Sequence, residues 1–239
     1  MHAEKPSRYA GGNSLLDLLS AATASAIVED AEILRFESGS AVRASQGRLE
    51  QVYFPLDMTI ATSTLLRDRS EVVVGAVGRE GMCGAELVLG VDRVPVRASC
   101  QIAGSAVRVS AGTFVRSLER SRAARAIALR YVWAAIGSLE TSLVCNAVHP
   151  VNARRARWFL AAQDRVGGDE FAVSAESLAR IVDLRSKSVA AAAEGLEKQG
   201  AVAYEDGRVR ILDRAKLEQA ACDCYWLNIE RFDELLGSR

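Results

Sequence analysis

Arg185, Ser186, Lys187 and Ser188 stand together at the start of a stretch with helical periodicity. Polar and cationic side chains at a helix N-terminus can reach the base edges in the major groove of DNA and hydrogen-bond to them. Ala191, one turn further on, lies in the run AAAA at 190–193, which offers methyl groups that can meet a thymine methyl and can make no hydrogen bond. Lys198, Arg208 and Arg210 add cations at positions suited to phosphates, the last two on a predicted hairpin. Ser174 completes the candidate DNA-binding set, with the residue type of a helix N-cap.

The elements that must position these side chains run without spacers from 174 to 212. A helix is predicted from about Ala175, because Leu178, Ile181 and Val182 fall at i, i+3 and i+4. Asp183 and Leu184 make the break, and a second helix follows with Val189, Ala192, Ala193 and Leu196 on its apolar face. After Gly200 the period becomes two, with Val202 and Tyr204 on one strand, a turn at Glu205, Asp206 and Gly207, and Val209 and Ile211 on the other. Two helices and a hairpin in that order predict a winged helix-turn-helix. The alternative is a packing element with a solvated charged face.

The chain has 239 residues, enough for two domains, and 49% hydrophobic with 25% charged side chains is the balance of a soluble globular protein. Its 30 basic and 30 acidic side chains cancel, so any affinity for nucleic acid comes from local basic patches. No apolar run approaches the roughly 18 to 20 residues of a membrane span, and residues 1–12 lack a signal-peptide core. A cytoplasmic protein without membrane contact is expected.

Cys83, Cys100, Cys145, Cys222 and Cys224 are an odd, dispersed set without a C-x-x-C pair, which argues for reduced thiols. Cys222 and Cys224 are two apart on what reads as a helix, so they point to different faces and chelate poorly, and His2 and His149 add no ligand cluster of recognised spacing. No metal site is expected. Cys83 as a nucleophile would need a nearby base, and no histidine lies in the β-rich segment around it, so no enzymatic activity is expected either.

The N-terminal half reads as β after a short helix at about 13–28. Runs such as AEILRF, QVYFPL, TIATSTLL, EVVVGAV, VRASCQI and AVRV are separated by turn-rich pieces, which implies an antiparallel sandwich or jelly roll. The glycine-rich GREGMCGAELVLG interrupts the strands, and Gly81, Gly84 and Glu86 with Arg97 form a candidate effector or anion pocket. A helix at 111–121 precedes a longer one at 122–148, where Leu129, Val132, Ile136, Leu139 and Leu143 step by three and four as a dimer seam would. The alternative is that this stripe covers the β domain.

In these parts and their order, and in the strings QVYFPL, VGREGMCGAELVLG, CNAVHPVNARRARWFLAAQDRVGGDEF, SLARIVDLRSKSVAAAAEGLEKQGAV and DRAKLEQAACDCY, the chain resembles the Crp/Fnr family of bacterial transcription regulators. The resemblance implies an α+β fold. An N-terminal antiparallel β-roll or jelly roll like that of cyclic-nucleotide-binding domains would span 13–121, a long dimerisation helix and hinge 122–149, and a C-terminal winged helix-turn-helix 150–239. It implies a homodimer on palindromic promoter DNA that touches RNA polymerase. Departures from the family pattern shape further expectations. Ala85 follows Gly84 where nucleotide-binding members have glutamate, and only Arg97 resembles the phosphate-binding arginine, which argues against cyclic AMP. The cysteine cluster of iron-sulfur members is missing from the N-terminus, and no clear pair of axial ligands argues for haem. Ser186, Lys187 and Ala191 replace the Arg, Glu and Arg common in relatives, so the operator must differ. A dimeric signalling or interaction protein with a degenerate DNA-binding surface is the second reading.

Overall fold

In the computed structural model, which describes residues 3–4, 11–43, 47–93, 95–174 and 195–237, the N-terminal half is built from two four-stranded antiparallel sheets. One sheet has the order β1 (Ala3–Glu4), β2 (Glu32–Phe36), β8 (Gly104–Ser110), β4 (Gln51–Pro55). The other runs β3 (Ala41–Arg43), β7 (Val96–Ile102), β5 (Thr59–Leu65), β6 (Glu71–Val77). Strand alternation turns Leu34, Phe36, Val52, Phe54, Ile60, Ala98, Cys100, Val107 and Val109 inward to form one core. The predicted β-roll is therefore present.

The helix expected over 13–28 is two helices, α1 (Ser14–Asp17) and α2 (Ala21–Val28), each with its own cap. Asn13 caps the first, and its buried amide also donates to the carbonyls of Pro55 and Gly81 at 2.9 Å each. The N-terminal segment is thereby tied to the glycine-rich loop, which leads into a 3-10 turn at Ala85–Leu89. Ser110 and Ser121 cap α3 (Ala111–Arg120) and α4 (Arg122–Val148) in the same way.

Helix α4 is about 40 Å long at 1.5 Å per residue and buries residues in two directions. Ala124, Ala128, Tyr131 and Val132 join the β-roll core. Gly137, Thr141 and Cys145 face the last described helix, α7 (Cys224–Leu236), where Arg231 donates to Thr141 and Phe232 stacks edge-on against Tyr131. A Cβ on Gly137 would fall 2.5 Å from the Arg231 side chain, so a larger residue there would push that arginine aside.

Past Pro150, α5 (Val151–Val166) leads to a three-stranded sheet of order β10 (Val202–Glu205), β11 (Arg208–Ile211), β9 (Glu170–Ala172), followed by α6 (Arg214–Ala220). Phe159, Leu160, Phe171, Leu196, Val202, Val209 and Leu217 fill its core. Arg214 holds the unit together, binding Asp164, Glu218 and Tyr225 at 2.6–2.8 Å. The two halves are docked. Arg165 pairs with Glu80 at 2.9 Å and donates to the Ala76 carbonyl, the Ala103 amide donates to Ala172, and the Ser174 amide donates to the Ser38 hydroxyl.

Candidate functional site

The wing forms as its residue types require. Asp206 and Gly207 both adopt positive φ, 48° and 75°, as a two-residue hairpin turn of the favoured hand demands. Val202, Val209 and Ile211 point into the core, so the intervening Arg208 and Arg210 point out, each about three-fifths exposed. Glu170 stands directly opposite Arg210 across the β9–β11 pair. Its carboxylate meets Arg208 Nε at 2.6 Å and Arg210 Nε at 3.6 Å. Hydrogen bonding and charge from Arg208 hold the Glu170 carboxyl below its usual pKa. Sequence reading missed Glu170, although its place just before an apolar strand residue could have signalled a wing partner.

Lys198 is exposed at the end of the helical turn at 195–198. Ser174 is engaged through its amide by Ser38. Arg185, Ser186, Lys187, Ser188 and Ala191 lie outside the described residues.

In the β-roll, the four residues expected to form an anion corner have different neighbours. Glu86 is paired with Arg43 at 3.1 Å. Arg97 lies on β7 facing Glu71 at 3.5 Å. Gly84 has a φ of 114°, and Gly81 is pressed against α4, since a Cβ there would fall 2.2 Å from the Tyr131 ring. Gly81 is thus a packing glycine. Cys83 is buried, and burial pushes its thiol up to about 11, opposite to what an activated nucleophile needs.

Along α4, Leu129, Ile136, Leu139 and Leu143 are 41%, 40%, 43% and 71% exposed, whereas Val132 at 8% is taken up by the β-roll core and leaves the seam. Trp133, 58% exposed, joins the stripe instead. With helical spacing these residues make one apolar face on the outside of the chain.

A second cluster was not expected from the sequence. Cys145, His149, Cys222 and Cys224 converge so that their four ligand atoms all lie within 4.8 Å of one another. Cys145 Sγ is 3.5 Å from Cys222 Sγ, and Cys224 Sγ is 3.6 Å from His149 Nδ1. The expectation that Cys222 and Cys224 diverge fails for a physical reason. Cys222 precedes α7 in the non-helical link after α6, while Cys224 is the helix's first residue, so helical spacing does not apply between them. Cys145 and His149, four apart at the end of α4, share a face. Burial pushes the Cys145 thiol up to about 12.

Residues 153–220 match the family model described as a Crp-like helix-turn-helix domain. The match is confined to that segment. The hairpin with Arg208 and Arg210 lies within it, whereas Cys145, His149, Cys222 and Cys224 flank it on both sides. Over about four-fifths of its length the chain shares its fold with solved structures. One is a CRP-family transcriptional regulator from Thermus thermophilus, 20% identical over 79% of this chain and 96% of that one, with a TM-score of 0.63. FixK2 from Bradyrhizobium japonicum is 16% identical over 80% and 98%, with a TM-score of 0.62. The c-di-GMP-responsive global regulator CLP of Xanthomonas campestris is 16% identical over 80% and 99%, with a TM-score of 0.54. A search of curated protein sequences found no match. Among the described residues, no helix is long and apolar enough to cross a membrane.

Proposed function

We propose that this protein is a DNA-binding transcription regulator of the Crp/Fnr type, acting as a homodimer on palindromic promoter DNA. The observation that carries the reading is the Crp-like helix-turn-helix match over 153–220, in a chain whose β-roll, long helix and wing follow the order of such regulators. The exposed stripe Leu129, Trp133, Ile136, Leu139 and Leu143 is the dimer face, since pairing two such faces removes a continuous apolar surface from water. Dimerisation would set two DNA-reading units about one helical turn apart on the duplex.

Arg185 to Ser188, where the sequence pattern predicts the start of a helix, read bases, and Arg208 and Arg210 on the wing contact phosphates. Contact with RNA polymerase follows the same reading. A signal acts at the β-roll, and its ligand is something other than cyclic AMP: Glu86 is already held by Arg43, and Arg97 faces a carboxylate. An anion at Arg97 would meet the Glu71 carboxylate beside it.

Selection of a random DNA library with the purified full-length protein tests the reading and supplies the operator. Fluorescence anisotropy then compares operator and random duplex across a salt series. Lys187→Ala should cost ~1–3 kcal/mol on the operator and much less on random DNA. Arg208→Ala should weaken both alike and lower the salt slope by about one unit. Failure to enrich any sequence, together with variants indistinguishable from the parent on both duplexes, leaves a dimeric interaction protein as the function.

A further inference from the structure

We propose that Cys145, His149, Cys222 and Cys224 bind one zinc-class divalent ion in a closed tetrahedral Cys3His site that fastens α7 to the α4–α5 hinge. The separations suit a single ion. With Zn–S near 2.3 Å and Zn–N near 2.0–2.1 Å, a tetrahedron has an S···S edge of about 3.8 Å and an S···N edge of about 3.5 Å. The observed edges are 3.5 Å for Cys145 to Cys222 and 3.6 Å for Cys224 to His149 Nδ1. An iron-sulfur cluster spreads four ligands over two or more irons and needs a wider cage than one in which every ligand atom lies within 4.8 Å. A disulfide between Cys145 and Cys222 would satisfy two thiols and leave Cys224 and the imidazole converging on nothing.

The surroundings suit the ion as well. Three thiolates, a neutral imidazole and a divalent cation carry a net charge of −1, and the three thiol protons pass to solvent on binding. Arg157 on α5 is close enough for its charge to favour the thiolates of Cys145 and Cys224, and its buried Nε has no hydrogen-bond partner among the described residues. The hinge core itself is made of small side chains. Its buried members are the three cysteines, with Ala153 packed against them. Apolar burial alone gives little cohesion there, and an ion at the centre supplies it. Four protein ligands leave no open position, so the site is structural and does not activate water.

The test uses full-length protein purified under reducing conditions without added chelator. Elemental analysis should find one zinc per chain. After the metal is stripped and the thiols reduced, Co2+ alone should give the thiolate charge-transfer bands and intense visible bands of tetrahedral cobalt. Cys222→Ser and Cys224→Ser should abolish these, and Cys100→Ser, buried in the β-roll, should leave them unchanged. His149→Gln keeps the three thiolates and should weaken Co2+ binding by more than the ~10- to 100-fold that losing an outer-shell partner costs. The titration of unsubstituted protein stands even where a variant fails to fold. Absence of bound metal together with absence of cobalt bands overturns the proposal. So do cobalt bands that survive in both serine variants, or a Cys145–Cys222 disulfide in peptide maps of the reduced preparation.

Discussion

The hydroxyl of Tyr131 lies 3.0 Å from both the backbone nitrogen and the backbone oxygen of Met82, accepting from the amide and donating to the carbonyl. One side chain of α4 thereby satisfies both polar groups of a buried residue in the glycine-rich loop. Burial raises the Tyr131 pKa, so the phenol keeps the proton that it donates. Tyr131→Phe would leave the Met82 amide and carbonyl buried without their partner, at a cost of about 1–3 kcal/mol. Thermal or urea unfolding should report that loss, and an unchanged midpoint would mean that water replaces the hydroxyl.

Glu170 acts as a counter-charge within the proposed phosphate-binding surface. Glu170→Gln should release Arg208 and Arg210, tighten binding to random duplex, and steepen the salt slope by about one unit per phosphate gained. Because the Glu170 pKa is depressed in the folded chain, the ion pairs hold above the ordinary carboxylate range and are lost as pH falls through the lowered value. Acidification toward that value should mimic Glu170→Gln in the parent and have a smaller effect on the variant. Equal pH responses of the two proteins in an anisotropy titration would sink this account.

The dimer face is best tested at Ile136, which is 40% exposed. Leu139 is a poorer choice, because its Cδ2 lies 3.1 Å from where a Cβ on Gly75 would sit, so a charge there would also disturb β6. Ile136→Lys should leave the folded chain intact and place two like charges in the interface, dissociating the pair at micromolar concentration. Sedimentation equilibrium reads the outcome directly. A variant that stays dimeric would remove this stripe as the interface.

Arg165 and Glu80 join the β-roll to the winged unit, both about a quarter exposed or less. Removing the carboxylate by Glu80→Ala leaves Arg165 with the Ala76 carbonyl and forfeits roughly 1.5–3 kcal/mol for a hydrogen bond between charged groups, reduced by partial solvent screening. Faster amide exchange over 160–174, with protection in β5 and β7 unchanged, is the expected signature. Uniform loss of protection would point to global destabilisation.

The β-roll, the long helix and the wing were legible from local signals: short runs bounded by turn residues for the strands, alternation in β11, and apolar steps of three and four through a proline-free run for α4. Asp206–Gly207 announced its own turn. What sequence could not supply came from contacts between distant segments. Val132 has the spacing of a seam residue, yet packs inside, because the side of α4 that meets the β-roll is set by the fold. Gly81 has the look of a phosphate-loop glycine and is instead a clearance for Tyr131. The thiols at 145 and 222 come within 3.5 Å only because α7 returns along α4, a crossing that no local pattern encodes.

That return also dictates an order of assembly. Helix α7 covers part of α4, and its Phe232 and Leu236 pack against the β-roll core, yet the whole winged unit precedes it in the chain. During synthesis the first half emerges with that flank of α4 uncovered. At ~5–20 residues per second, residues 149–223 take roughly 4–15 s to appear before the covering helix begins. Nascent chains halted before Cys224 should expose this flank to an apolar dye or a chaperone, and chains extended past Leu236 should hide it.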